Sequence, residues 1–87
     1  VASIELTLIG KPGCHLCDDA RDVIRGVLDG LGEAGPTVTL GEVSILDDPE
    51  LHDRYVEEIP VLLVNGVVHT YWRVDPARLR NVLLETS

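Results

Sequence analysis

The spacing of apolar side chains changes once within the first thirty-one residues, and that change constrains the fold more than any other feature of the chain. Ile4, Leu6 and Leu8 alternate with Glu5 and Thr7, and Ile9 follows, so residues 3–9 read as a strand. From Leu16 onward Ala20, Val23, Ile24, Val27, Leu28 and Leu31 recur at helical spacing, which predicts an amphipathic helix with one buried stripe. Gly26 weakens that helix without interrupting the stripe, and Gly30, Gly32, Gly35 and Pro36 end it. Residues 37–45 are again rich in β-branched and apolar side chains and read as a second strand, with a bulge expected at Gly41. A helix between two strands is a crossover, and a crossover makes the pair parallel.

The rest of the chain adds one local antiparallel unit. Asp48-Pro49-Glu50 is a helix start, with an Asp cap and proline in the first turn, and predicts a short helix over 49–57. Apolar runs at 61–64 and 67–72 flank Asn65-Gly66, a strong hairpin signal. Asp75-Pro76 repeats the cap-and-proline start, and Leu79, Val82 and Leu83 give the last helix its buried face. The order is β-α-β-α-β-β-α: an α/β domain with a four-stranded mixed sheet flanked by three helices. At 87 residues the chain has room for one such domain, spanning 1–87.

Charge narrows the partners. Residues 1–58 hold four Lys or Arg against thirteen Asp or Glu, while residues 59–87 hold three against two, within a net charge of −8. An acidic surface repels phosphate, so nucleic acid and anionic membrane are excluded as expected partners. No apolar run approaches the ~18 residues of a membrane span. The first strand begins almost at once, with no basic-plus-apolar leader before it, so a cytoplasmic location is expected.

Both cysteines, Cys14 and Cys17, fall in one short stretch, GKPGCHLCDD, at the join of the first strand and helix. Three readings compete. A structural zinc site needs four ligands, yet there is no second Cys-x-x-Cys, and His52 and His69 stand in separate elements. No metal is therefore expected. A purely structural disulfide closing so short a loop removes little entropy from the unfolded chain. A redox pair gains from the same geometry. Cys14 falls at the helix start, where unpaired N–H groups favour a thiolate. Cys17 aligns with Ala20, Ile24 and Leu28 on the buried stripe, so one thiol is exposed and the other shielded within reach. A nucleophile and a resolving thiol need that asymmetry. Lys11, the single lysine, and His15 favour the thiolate, whereas Asp18 and Asp19 oppose it, so a moderately lowered Cys14 pKa is expected.

Lys11-Pro12-Gly13-Cys14-His15-Leu16-Cys17 resembles the glutaredoxin active-site pattern Lys-Pro-x-Cys-x-x-Cys. Ile59-Pro60-Val61 is similar to the proline segment opposite the active site in thioredoxin-fold proteins, and Val64-Asn65-Gly66 to their terminal hairpin. Cys-x-Leu-Cys with Trp72-Arg73 after the hairpin resembles a small glutaredoxin-like group. The resemblance implies a thioredoxin-like fold in which Pro60 is cis and the Ile59 backbone lies beside Cys14. It also implies thiol–disulfide exchange and a role in cell redox homeostasis. Two departures bear on glutathione. His15-Leu16 replaces the usual Pro-aromatic pair, and Thr70-Tyr71-Trp72-Arg73 replaces the glycines that let the backbone approach glutathione. Lys11 remains as a carboxylate contact, with Arg73 or Asp75 as substitute anchors. Trp72 is either a lid over the site or a half-buried core aromatic.

The expected activity is disulfide exchange in which Cys14 attacks a substrate disulfide and Cys17 resolves the mixed disulfide. Expected substrate contacts are Lys11, His15, Ile59, Pro60, Arg73 and Asp75. The expected partners are a disulfide-containing protein or a low-molecular-weight thiol, with a thioredoxin-type reductase or glutathione as electron donor. Glutathione is expected to bind weakly, no other cofactor is expected, and the chain is expected to be a monomer. The alternative is a non-catalytic thioredoxin-fold module that binds partners or senses redox state.

Overall fold

The computed structural model describes residues 3–32 and 35–86. The elements follow in the order β1 (Ser3–Gly10), α1 (His15–Leu31), β2 (Thr37–Ser44), α2 (Pro49–Tyr55), β3 (Val61–Val64), β4 (Val67–Tyr71) and α3 (Pro76–Thr86). The four strands form one sheet in the order β2-β1-β3-β4. β1 pairs parallel with β2, as the α1 crossover requires, and antiparallel with β3. β3 and β4 form the expected hairpin. Asn65 and Gly66 take φ 51° and 82°, the two positive values that a two-residue hairpin turn of this kind demands. Asn65 does more than turn the chain. Its Oδ1 accepts the Glu5 N–H at 2.9 Å, and its own N–H donates to the Glu5 carbonyl at 2.8 Å, tying the hairpin to β1.

Alternation along β1 sends its side chains to two faces of the sheet. Ile4, Leu6 and Leu8 join Leu62 of β3 under α1 and α3, packing with Ala20, Ile24, Val74, Leu79 and Leu83. Ile9 points the other way and packs with Val61, Ile45, Tyr55 of α2, Ile59 and Cys17. Burying a leucine or isoleucine side chain fully is worth about 1.5–3 kcal/mol, so the first cluster supplies most of the apolar stabilisation.

Three details differ from the sequence reading. The β1–β2 register runs unbroken from Ser3↔Thr37 to Gly10↔Ser44, with Thr7 opposite Gly41, so Gly41 carries no bulge. Gly41 is exposed on an edge strand and simply takes its place in the ladder. The bulge lies instead in β4, where pairing steps from Leu63↔Val68 to Leu62↔Thr70 and leaves His69 as the extra residue. α2 ends at Tyr55, short of residue 57, because the Tyr55 carbonyl accepts both the Glu58 and Ile59 N–H groups, at 2.8 and 3.0 Å. That turn closes the helix and leads the chain to Pro60. The caps are as expected: Asp48 Oδ1 accepts the Glu50 N–H at 2.9 Å, and Asp75 Oδ1 accepts the Ala77 N–H at 3.0 Å. Among the described residues no helix is long and apolar enough to cross a membrane.

Candidate redox site

β1 ends at Gly10, a turn follows, and Cys14 caps α1 in an extended conformation (φ −95°, ψ 113°). A capping side chain ordinarily offers oxygen to the free N–H groups of the first turn. Here sulfur takes that place, and Cys14 Sγ accepts the Cys17 N–H at 3.3 Å. The three-residue step puts both thiols on one side of the helix start. Both are free, with Cys14 half-buried and Cys17 only 2% exposed.

Burial pushes the Cys17 thiol up from an ordinary 9.0 to about 11. The hydrogen bond with Cys14 pushes the same way, the Lys11 backbone opposes it, and the charges of Cys14 and Asp18 add to the rise. Gly10 stands close against this sulfur. A Cβ at Gly10 would stand 2.7 Å from Cys17 Sγ, so the strand can end against the thiol only because no side chain is there. Gly10 was not among the residues the sequence singled out. The signal was a glycine directly after the strand pattern of residues 3–9 and directly before Lys11 of the motif.

The Ile59-Pro60 peptide is cis, and both residues are buried. Ile59 packs in the same cluster as Cys17, against which Cys14 also rests. Trp72 clamps this segment from outside. Its backbone N–H donates to the Pro60 carbonyl at 2.7 Å and its indole N–H to the Glu57 carbonyl at 3.0 Å. Trp72 itself has φ 63°, and the Arg73 N–H donates to the Tyr71 carbonyl at 2.7 Å, a γ-turn centred on the indole residue. A bulky residue with positive φ is a marked outlier. At 54% exposed, Trp72 is not a core aromatic. It stands on the surface, facing Leu16 across a hollow of about 270 Å³.

The expected contact residues divide between two sides of α1. Lys11, exposed, lines a hollow of about 320 Å³ with Gly10, Cys17, Arg21 and Glu42, where Arg21 pairs with Asp18 at 2.9 Å and Glu42 at 2.6 Å. Arg73 lines the other hollow with Leu16, Asp19 and Trp72. Asp75 is occupied by its cap contacts to the Ala77 and Arg78 N–H groups, at 3.0 and 3.3 Å. His15 is exposed in the first turn of α1. The structure thus gathers Cys14, Cys17 and Ile59, and leaves Lys11 and Arg73 in separate hollows. Among the described residues no three His, Cys, Asp or Glu side chains gather as a metal site would need.

Known proteins resemble this arrangement over most of its length. A protein of X. campestris, solved by X-ray diffraction, is 33% identical and superposes with a TM-score of 0.70, covering 90% of this chain and 93% of its own. A protein of Nitrosomonas europaea, solved by solution NMR, is 21% identical with a TM-score of 0.77 over 95% and 94%, a likeness of fold. An uncharacterized protein of Mycobacterium tuberculosis is 28% identical over 76 residues, which are 87% of this chain and 78% of that protein. The family model described as glutaredoxin-like domain (DUF836) matches residues 5–84, and the chain belongs to that family.

Proposed function

We propose that the protein is a thiol–disulfide oxidoreductase in which Cys14 is the nucleophile and Cys17 the resolving thiol. One observation carries the reading: the two sulfurs share a helix start, yet one is half-buried and receives an N–H while the other is enclosed and hard to ionise. The thiolate is the attacking species in such exchange. The Cys14 thiolate attacks one sulfur of a substrate disulfide, forms a mixed disulfide, and releases the other sulfur as a thiolate that takes up a proton. Cys17 then gives up its proton and attacks Cys14 Sγ. The Cys14–Cys17 disulfide forms and the second substrate thiolate leaves. The substrate gains two electrons, and an external thiol or reductase restores the pair.

The order of events has an electrostatic cause. Two of the influences that raise Cys17 come from Cys14, through a hydrogen bond and through charge. Once Cys14 Sγ is bonded to a substrate sulfur it carries no charge, and that part of the rise disappears. Capture of substrate therefore makes the resolving thiol easier to ionise. In this reading glutathione is a poor electron donor, because Lys11 and Arg73 do not face a single hollow.

The test is a pair of variants. Cys14→Ser should reduce disulfide turnover to the uncatalysed background, and Cys17→Ser should accumulate a mixed disulfide visible by intact mass. Alkylation of the reduced native protein that labels Cys17 before Cys14 would reverse the roles.

A further inference from the structure

Two hollows open along one side of α1. The first, about 270 Å³, lies between Leu16, Ala20 and Val23 and the turn carrying Trp72 and Arg73. The second, about 540 Å³, lies between Val23 and Val27 and the start of α3, where Pro76, Ala77 and Arg80 face it. Val23 lines both, so the two lie end to end as a trough along the helix, its lining running from Leu16, two residues after Cys14, to Gly30 near the last turn. From Leu16 to Gly30 the helix rises about 21 Å. An extended peptide of roughly six residues covers that length. A tripeptide thiol is too short to run along both hollows.

The lining is apolar along the floor and charged at the rim. Arg73 and Arg80 stand on the α3 side, and neither guanidinium has an ion-pair partner among the described residues. Asp19 is the single acid, at the thiol end. In a chain of net charge −8 this trough carries more positive than negative charge, which is the reverse of the surface as a whole. Unpaired guanidinium groups donate charge-assisted hydrogen bonds to carboxylates. Space for the occupant is left open by the chain itself: a Cβ on Gly26 or Gly30 would meet nothing within 4 Å. Glycine is a poor helix former, and nothing in the described chain requires it at either position.

We propose that a protein substrate lays an apolar, acidic segment along this trough while its disulfide meets Cys14. The proposal rests on the oxidoreductase reading and names its substrate class: a protein disulfide with such a segment beside the reacting cysteine. Recognition then comes from the length of α1 and from Arg73 and Arg80, which a small thiol does not engage fully.

The experiment uses three ten-residue peptides, Leu/Asp-rich, Leu/Lys-rich and Ser/Gly-rich, each with one cysteine in mixed disulfide with thionitrobenzoate. Attack of Cys14 on the peptide sulfur releases the coloured thiol, and bis(2-hydroxyethyl) disulfide serves as the small substrate. The Leu/Asp peptide should react at least tenfold faster than the other two. Gly26→Leu should lower the ratio of its rate to the small-disulfide rate at least tenfold. Arg80→Glu should shift preference toward the Leu/Lys peptide. A second measurement uses the same peptides with serine in place of cysteine. Trp72 is the single tryptophan and borders the trough, so its fluorescence reports occupancy without any redox step. Equal rates for the three peptides with no Trp72 response would overturn the proposal while leaving turnover of the small disulfide intact. Self-association that Gly26→Leu abolishes would overturn it too, by making the trough an interface between copies. A Trp72 response to the Leu/Asp peptide with no reduction of any disulfide would support the docking and remove the oxidoreductase reading beneath it.

Discussion

The two sides of the sheet hold apolar clusters of different kinds. Under α1 and α3, Ile4, Leu6, Leu8, Ile24, Leu62, Leu79 and Leu83 are all at most 2% exposed and bring no polar or ionisable atom with them. Around Ile9 and Val61 the cluster is smaller and includes a thiol, a phenol ring and Ile59, the residue before the cis Pro60. The first is packing and nothing else. The second uses burial as a chemical tool, since the same desolvation that packs Cys17 also keeps its proton on. One strand serves both, Ile4, Leu6 and Leu8 facing one way and Ile9 the other. Stability and reactivity are therefore separable by substitution even though the clusters are neighbours.

The largest expected effect breaks the comparison on its packing side. Leu79→Ala removes a fully buried side chain and should cost about 2–5 kcal/mol in urea unfolding. Disulfide turnover per folded molecule should stay at the native value. A change in turnover as large as the change in stability would show that the clusters are not separable.

A smaller effect sharpens the comparison on the thiol side through pH. In the folded chain Cys17 titrates near 11, against an ordinary 9.0, so between these values the unfolded chain has lost a proton that the folded chain keeps. Stability is fully present below about pH 9 and falls as pH rises toward 11, by on the order of 2–3 kcal/mol. Unfolding midpoints measured from pH 7 to 11 should show this loss in the native protein. They should show much less of it in Cys17→Ala, where no thiol is buried at that position.

The smallest effect lies at the contact between strand and sulfur. Gly10→Ala places a methyl group 2.7 Å from Cys17 Sγ, closer than van der Waals contact allows, so the thiol must shift. The stability cost should be about 1–3 kcal/mol, the range for overpacking a tight site. The sharper readout is the lifetime of the mixed disulfide on Cys14, which should lengthen severalfold because the resolving thiol is displaced. An unchanged lifetime would mean that Cys17 tolerates the shift.

Much of this was legible in the sequence where a residue type has one physical use. Asn65-Gly66 announced a hairpin because both positions need positive φ, and Asp48 and Asp75 announced helix starts because their carboxylates cap free N–H groups. The alternation of Ile4, Leu6 and Leu8 announced a strand buried on one face. The site was legible in part, through the placement of Cys14 at a helix start and Cys17 on its buried stripe. What escaped depends on pairing across the fold. Gly41 has the composition of a bulge, but its parallel neighbour keeps step with it. His69 has no composition that marks it as the extra residue, because only the count of partners on β3 makes it one. Gly10 drew no notice beside the strand pattern of residues 3–9, because its closeness to Cys17 Sγ exists only once α1 has folded back against β1. Trp72 left no trace of its positive φ, which is held by carbonyl partners at Glu57, Pro60 and Tyr71.

Most of the cover over Cys17 comes from Ile45, Tyr55, Ile59 and Val61, all far downstream of the sulfur. A ribosome adding about 5–20 residues per second needs roughly 2–9 s to pass from the thiol to the last of them. During that interval neither sulfur has this downstream cover. A pair so close in the chain can then meet before those downstream neighbours exist. Disulfide closure is thus available to the nascent polypeptide earlier than the environment that makes the two thiols different from each other.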